Sequence, residues 1–190
     1  MIYNPARPHR RSLRLKGYNY NQAGAYFVTI CTQNRKCVFG AAADGKIELN
    51  DTGHRVDRIW SELPARFSHV YVDAFVVMPN HLHGILIVGA QFIAPDGLQD
   101  CRDCTEQGAI NRAPTLGEIV RAYKAVSVHM IRQTVNPTFG WQRNYYEHVI
   151  RNEESLNRIR QYILDNPARW QFDRENPAAT NPEPKNVWCL

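Results

Sequence analysis

Residues 70–88, VYVDAFVVMPNHLHGILIV, divide into two apolar stretches, 70–78 and 81–88, separated by Pro79 and Asn80. β-branched and aromatic residues suit strands, and proline with asparagine marks a turn, so this segment predicts a β-hairpin. Alternate residues of a strand face the same side, which projects His81 and His83 together and sends Leu82 the other way. Two neutral imidazoles about 7 Å apart along a strand can chelate one divalent ion once a third ligand arrives from elsewhere. A hydrogen-bonded histidine pair that only serves the sheet is the alternative.

Outward from the hairpin, residues 25–31 (AYFVTIC) predict a buried strand, and a further strand is expected over 46–49 after the turn signal Asp44-Gly45. Val56, Ile59, Trp60 and Leu63 recur at helical spacing behind an Asn50/Asp51 cap, in a helix that Pro64 should end. Thr115 and Glu118 form a capping box ahead of Leu116, Ile119, Val120 and Tyr123, predicting a helix over 115–133. Residues 141–150 predict the last strand. Asn152, Glu153 and Glu154 open a third helix with Leu156, Ile159 and Ile163 inward and Pro167 as its stop. The order strand, helix, two strands, helix, strand is that of a ferredoxin-like α+β sandwich, an antiparallel sheet with helices on one face. The expected organisation is a basic arm over 1–24, one domain over 25–166 with an inserted loop at 89–114, and an extended tail over 167–190.

The chain of 190 residues is 44% hydrophobic and 22% charged, which fits one globular domain and excludes a fibrous or wholly disordered chain. No apolar run approaches the roughly 18 residues of a membrane span, and the first residues lack a signal-like segment, so a cytoplasmic protein is expected. Five cysteines, odd in number and irregular in spacing, argue against a disulfide framework. Cys101 and Cys104 form a C-x-x-C without the second pair that a four-cysteine zinc site requires, so they read as loop thiols, with zinc the alternative. The net charge is +5, and its distribution is more telling. Arg7, Arg10, Arg11, Arg14, Lys16, Arg35 and Lys36 all precede the first acidic residue, Asp44, with Tyr18 and Tyr20 among them. Such an arm can neutralise phosphates and stack on unpaired bases, which points to nucleic acid; a solvated terminus is the other reading.

On the third helix, Tyr162 and Asn166 are four residues apart and share a face beside the apolar stripe. A phenol beside a cation becomes a better nucleophile, and a carboxamide oxygen suits a hard ion. By themselves, a tyrosine flanking a helix and an asparagine ending one are common structural features. Mg²⁺ or Mn²⁺ fits this donor set better than a structural zinc. His148 and Glu147 are candidates for orienting ligands or phosphate, and Arg121, Lys124, Arg151 and Arg158 for phosphate contacts.

The blocks AYFVTICTQNR (25–35), VMPNHLHGILIV (77–88), YYEHVIRNEE (145–154) and YILDNP (162–167), in this order, resemble the REP-associated tyrosine transposases, relatives of the single-tyrosine HUH transposases of insertion sequences. The resemblance spans about residues 11–170. It implies an HUH endonuclease fold and a metal-dependent enzyme that cuts and rejoins single-stranded DNA beside a hairpin. His81 and His83 match the HUH pair, Tyr162 the lone nucleophile, and Asn166 the polar ligand position, which is Gln in many insertion-sequence relatives. Tyr145 and Tyr146 are rival phenols, but the family pattern puts the reactive tyrosine on a helix. By the same resemblance, Arg10, Arg11, Arg14 and Lys16 would grip the hairpin foot, and the protein would act as a monomer, whereas insertion-sequence relatives are often dimers. No small-molecule cofactor and no membrane partner are implied. A non-catalytic module that holds hairpin DNA or RNA on the same scaffold is the rival function.

Overall fold

β1 (Gly24–Cys31) lies at the centre because nearly all of its residues are apolar, β-branched or aromatic and can be buried on both faces. The computed structural model describes residues 23–89 and 114–184; the arm with Arg10, Arg11, Arg14 and Lys16, the loop residues 90–113 with Cys101 and Cys104, and residues 185–190 lie outside the described residues. In chain order the elements after β1 are β2 (Gly40–Ala43), β3 (Lys46–Leu49), α1 (Asp51–Ser61), α2 (Leu63–Arg66), β4 (Val70–Val77), β5 (His81–Val88), α3 (Leu116–Thr134), β6 (Tyr146–Ile150) and α4 (Glu153–Asp165). The main sheet has the order β4-β5-β1-β6, and every neighbouring pair is antiparallel. This is the expected α+β class, and β2 and β3 form a separate hairpin.

The alternation of each strand sorts the core into two layers. Tyr26, Val28, Ile30, Leu82 and Leu86 pack with Val56, Ile59 and Trp60 of α1 and Leu116, Ile119, Val120 and Tyr123 of α3. The two main helices of the βαββαβ order therefore share one face, as expected. The next helix, α4, covers the opposite face, where Leu156, Ile159 and Ile163 meet Phe27, Ile85, Ile87 and Ile150. Burying an isoleucine such as Ile159 contributes about 1.5–3 kcal/mol relative to exposure. Gly84 is required on the α1 side, because a Cβ there would lie 2.6 Å from the Trp60 ring.

Three boundaries differ from the sequence reading. Pro64 stands in the first turn of α2, where a missing N–H costs nothing, and so opens a helix rather than simply ending one. β6 begins at Tyr146 instead of near 141. The carbonyls of Gln142 and Asn144 accept hydrogen bonds from Lys124 Nζ at 2.8 and 2.9 Å, which takes them out of a strand ladder. After Asp165 the chain enters a 3-10 helix, Asn166–Phe172, with Pro167 in its first turn. Extended chain was expected here; the proline ends the α-helix yet is accommodated in the tighter turn, and this turns the following residues back over the sheet.

The edge strand β4 holds α4 in place. A bulge between Val72 and Phe75 interrupts its register with β5, and Asp73, within the bulge, accepts Arg160 Nε on Oδ1 at 2.8 Å and Nη2 on Oδ2 at 2.6 Å. These bonds hold the Asp73 carboxyl below the usual carboxylate range despite its partial burial. Its contribution to stability is therefore present above the unfolded pKa near 3.9 and lost as pH falls through the lower folded value. Arg160→Ala is expected to cost about 1 kcal/mol at neutral pH, since Arg160 is partly exposed. Urea unfolding reads this, and an unchanged midpoint would show that apolar packing alone seats α4.

Candidate metal centre and nucleophile

His81 and His83 leave β5 on the α4 side of the sheet, opposite Cys31 and Thr29 of β1. Both are buried, and their ring centroids are 4.4 Å apart. Each ring is occupied at Nδ1. His81 Nδ1 is 2.8 Å from Asn80 Oδ1, and His83 Nδ1 shares a 2.8 Å hydrogen bond with the Thr29 hydroxyl. The two Nε2 atoms consequently point away from the strand toward a third group. Asp173, from the turn after the 3-10 helix, places Oδ2 3.5 Å from His81 Nε2 and 4.0 Å from His83 Nε2. Its other oxygen accepts the Glu175 N–H at 2.6 Å.

Burial disfavours the charged imidazoles, pushing His81 down to about 3 and His83 well below its ordinary value. Both rings are neutral near pH 7, so their approach to Asp173 is not an ion pair, and neutral imidazole is the form that ligates metals. His81, His83 and Asp173 offer ligand atoms all within 4.8 Å of one another, a group able to hold a metal ion. The donor set fits such an ion on a further ground. His81 Nε2, Asp173 Oδ2 and Asn166 Oδ1 are all buried without a hydrogen-bond partner, a costly state for polar atoms that ligation would relieve.

α4 brings the phenol to the same place. Tyr162 Oη lies 3.4 Å from His83 Nε2, with the tyrosine ring 5.4 Å from the His83 ring and edge-on to Phe27 at 6.0 Å. Burial first, and then the Asp173 carboxylate, push the phenol upward; a hydrogen bond from Asn166 acts in the other direction. Asn166 itself is buried at the C-terminus of α4. The structure thus brings His81, His83, Tyr162 and Asn166 together in one chain.

The supporting candidates are distributed differently. His148 pairs with Phe27 and stands on the histidine face, whereas Glu147 pairs with Val28 and faces the α1/α3 layer. Strand alternation thus places Glu147 on the wrong side of the sheet to orient a ligand, a correction to the sequence reading. Arg121 and Lys124 belong to α3, on that far face, and Lys124 is held by two backbone carbonyls, its pKa lowered to about 8 by burial. Neither fits a phosphate contact beside the histidines. Arg151 and Arg158 are exposed at α4, with Arg158 3.5 Å from Glu154.

Sequence reasoning missed Asp173, Thr29 and Asn80. Thr29 was legible in principle, because strand alternation puts it on the same face of β1 as Phe27. Asp173 carried no signal in a segment read as tail. That segment also closes the site. The Trp170 and His81 ring centroids are 6.0 Å apart, Arg35 pairs with Glu175 at 3.0 Å, and His81 is 0% exposed.

An antiparallel α+β sheet with a buried His-x-His pair, a carboxylate and a phenol therefore defines the class of this protein. No protein-family profile matches the chain. It is 42% identical over 172 residues to an uncharacterized protein of Haemophilus influenzae strain Rd, covering 90% of this chain and 96% of that one, and it belongs to the same family. Among solved structures, it is similar to a REP-associated tyrosine transposase bound to a REP hairpin, with 20% identity, 77% of this chain and 68% of that chain covered, and a TM-score of 0.49. A candidate transposase from Deinococcus radiodurans R1 is similar at 16% identity over 80% of this chain and 95% of that chain, with a TM-score of 0.46. Among the described residues no helix is long and apolar enough to cross a membrane.

Proposed function

We propose that this protein is a metal-dependent endonuclease and strand transferase that acts on single-stranded DNA at hairpins through a 5′-phosphotyrosine intermediate. The observation that carries this reading is the phenol of Tyr162 standing 3.4 Å from a histidine whose neighbours form a metal-competent cluster. The four sequence blocks that resemble REP-associated tyrosine transposases support it and supply the substrate class.

His81, His83 and Asp173 would hold one divalent cation, with Asn166 as a further oxygen donor. The chemistry supplied by such a cation, Mg²⁺ or Mn²⁺ by the donor set, is polarisation of a non-bridging oxygen of the scissile phosphate. Tyr162 Oη attacks phosphorus, the bond to the 3′ oxygen breaks, and the phenolic proton is made up on the 3′ hydroxyl that leaves. A second 3′ hydroxyl reverses the step and joins strands, because the phosphodiester is conserved in the covalent bond. Asn166 would also hold the phenol in line through its hydrogen bond. Since α4 rests on its own chain's sheet, one protomer suffices for this chemistry. Trp170 and the Arg35–Glu175 pair cover the histidines, and it is this cover, rather than Asp173, that a phosphate would have to displace. Arg10, Arg11, Arg14 and Lys16 are proposed to contact hairpin phosphates, and Arg151 and Arg158 to lie along the strand's path.

Labelled hairpin oligonucleotides from DNA flanking the gene, incubated with the full chain in Mn²⁺ or in chelator, test the reading. A denaturant-resistant protein–DNA adduct that forms only with metal is expected. Tight hairpin binding without any adduct in Mn²⁺ would overturn the enzymatic reading in favour of a binding module.

A further inference from the structure

We infer that Asn80 is a positioning residue that fixes the tautomer of His81, and through it the metal affinity of the site; this rests on the metal reading above. Asn80 is completely buried in the turn between β4 and β5. Its carboxamide has an assignable orientation. Nδ2 donates to the Arg35 carbonyl at 3.0 Å and to the Glu175 carbonyl at 2.6 Å. Only the NH₂ end of an amide can serve two carbonyl acceptors, so Oδ1 is the end that faces His81 Nδ1 at 2.8 Å. An oxygen acceptor there requires Nδ1 to carry the hydrogen. His81 Nε2 is left with its lone pair, directed toward Asp173 Oδ2 at 3.5 Å.

Two further observations separate this role from that of an ordinary turn asparagine. Asparagine is common in turns because it tolerates positive φ, but the positive-φ non-glycine residues among the described residues are Asn34, Arg35 and Asp44. Asn80 needs no such tolerance, and its side chain reaches across the fold instead of capping its own turn. The carbonyl that fixes it comes from an unusual backbone. Asn34 and Arg35 have φ of 58° and 53°, consecutive left-handed residues, and this arrangement delivers the Arg35 carbonyl to Asn80. A strained turn, an amide and an imidazole thus form one relay ending at a ligand atom. Outer hydrogen bonds of this kind orient metal-bound histidines, and their loss commonly weakens affinity 10–100-fold.

The test has two arms on the full chain. In the first, histidine-selective ¹⁵N labelling and long-range ¹H–¹⁵N correlation of the metal-free protein read the tautomer directly, with His81→Gln as the assignment control. A protonated Nδ1 and unprotonated Nε2 on His81 are expected, and the opposite tautomer would overturn the inference whatever the protein does with metal. In the second, Mn²⁺ affinity is measured from the free-ion EPR signal for wild type, Asn80→Leu and Asn80→Asp. Asn80→Leu removes the acceptor and should weaken Mn²⁺ binding 10–100-fold. Asn80→Asp keeps an oxygen for Nδ1–H but loses both donated bonds, so it should lower the thermal midpoint while keeping Mn²⁺ affinity within a few-fold. Equal affinity losses in the two variants, following their losses of thermal stability, would reduce Asn80 to a structural residue. Absence of Mn²⁺ binding by wild type would overturn the metal reading itself, and the tautomer arm would still decide the role of Asn80.

Discussion

Tyr162→Phe is expected to abolish the covalent protein–DNA adduct, with a fall in rate of at least about a thousandfold, while hairpin affinity stays within a few-fold. Phenylalanine preserves the ring that packs edge-on against Phe27 and next to His83, so the fold and the seat of α4 should survive. Only the oxygen is lost. Two other phenols test the assignment. Tyr146 faces the same side of the sheet, with its ring 6.5 Å from Phe27, and Tyr145 lies under Lys124 Nζ at 5.7 Å in the other layer. Both are carried by or next to β6, whereas Tyr162 meets a histidine nitrogen directly. Tyrosine 162 also needs help to ionise, because burial and the Asp173 carboxylate hold the phenol in its neutral form. A nearby cation would favour the phenolate, so the adduct rate should depend on metal more steeply than hairpin binding does. Gel analysis under denaturing conditions checks the claim, and an adduct that persists in Tyr162→Phe would move the nucleophile elsewhere.

How much of this was legible in the sequence depends on whether periodicity or tertiary return created each feature. The 70–88 hairpin was readable because β-branched residues and a Pro-Asn turn agree, and the alternation that orients His81 and His83 is a property of any strand. Tyr162 and Asn166 were readable as a helical pair for the same local reason. The bonds of Lys124 were not legible, because its acceptors belong to an irregular stretch ahead of β6 and no spacing rule connects a helix lysine to distant carbonyls. Glu147 was grouped with His148 by adjacency, although neighbours on a strand face opposite sides. Asp173 was invisible for a deeper reason. Its place depends on the 3-10 helix after Pro167 turning the chain back, and a proline after a helix reads equally well as the start of a tail.

Asp173→Asn is expected to remove most of the stabilisation that Mn²⁺ confers on the protein, without destabilising the metal-free fold. Asp173 is 5% exposed, and its Oδ2 has no hydrogen-bond donor, so a buried acceptor goes unsatisfied when no cation is present. Asparagine keeps an oxygen for the Glu175 N–H, which Asp173 accepts at 2.6 Å, and removes the charge. The thermal midpoint of the metal-free variant should therefore equal or exceed that of wild type. With Mn²⁺ at a hundred times the wild-type Kd, binding stabilises wild type by about 2.7 kcal/mol, roughly 5–10 °C for a chain of this size. If loss of the carboxylate weakens binding about a hundredfold, the same Mn²⁺ concentration stabilises the variant by only about 0.4 kcal/mol, near 1 °C. These midpoints are to be compared above pH 7. Below the unfolded histidine pKa near 6.5 the unfolded chain takes up protons that the buried His81, lowered to about 3, does not, so acid lowers stability for a reason unrelated to metal. An equal Mn²⁺ shift in wild type and Asp173→Asn would exclude Asp173 as a ligand and leave Asn166 as the third donor. In that case the carboxylate would serve only to close the site.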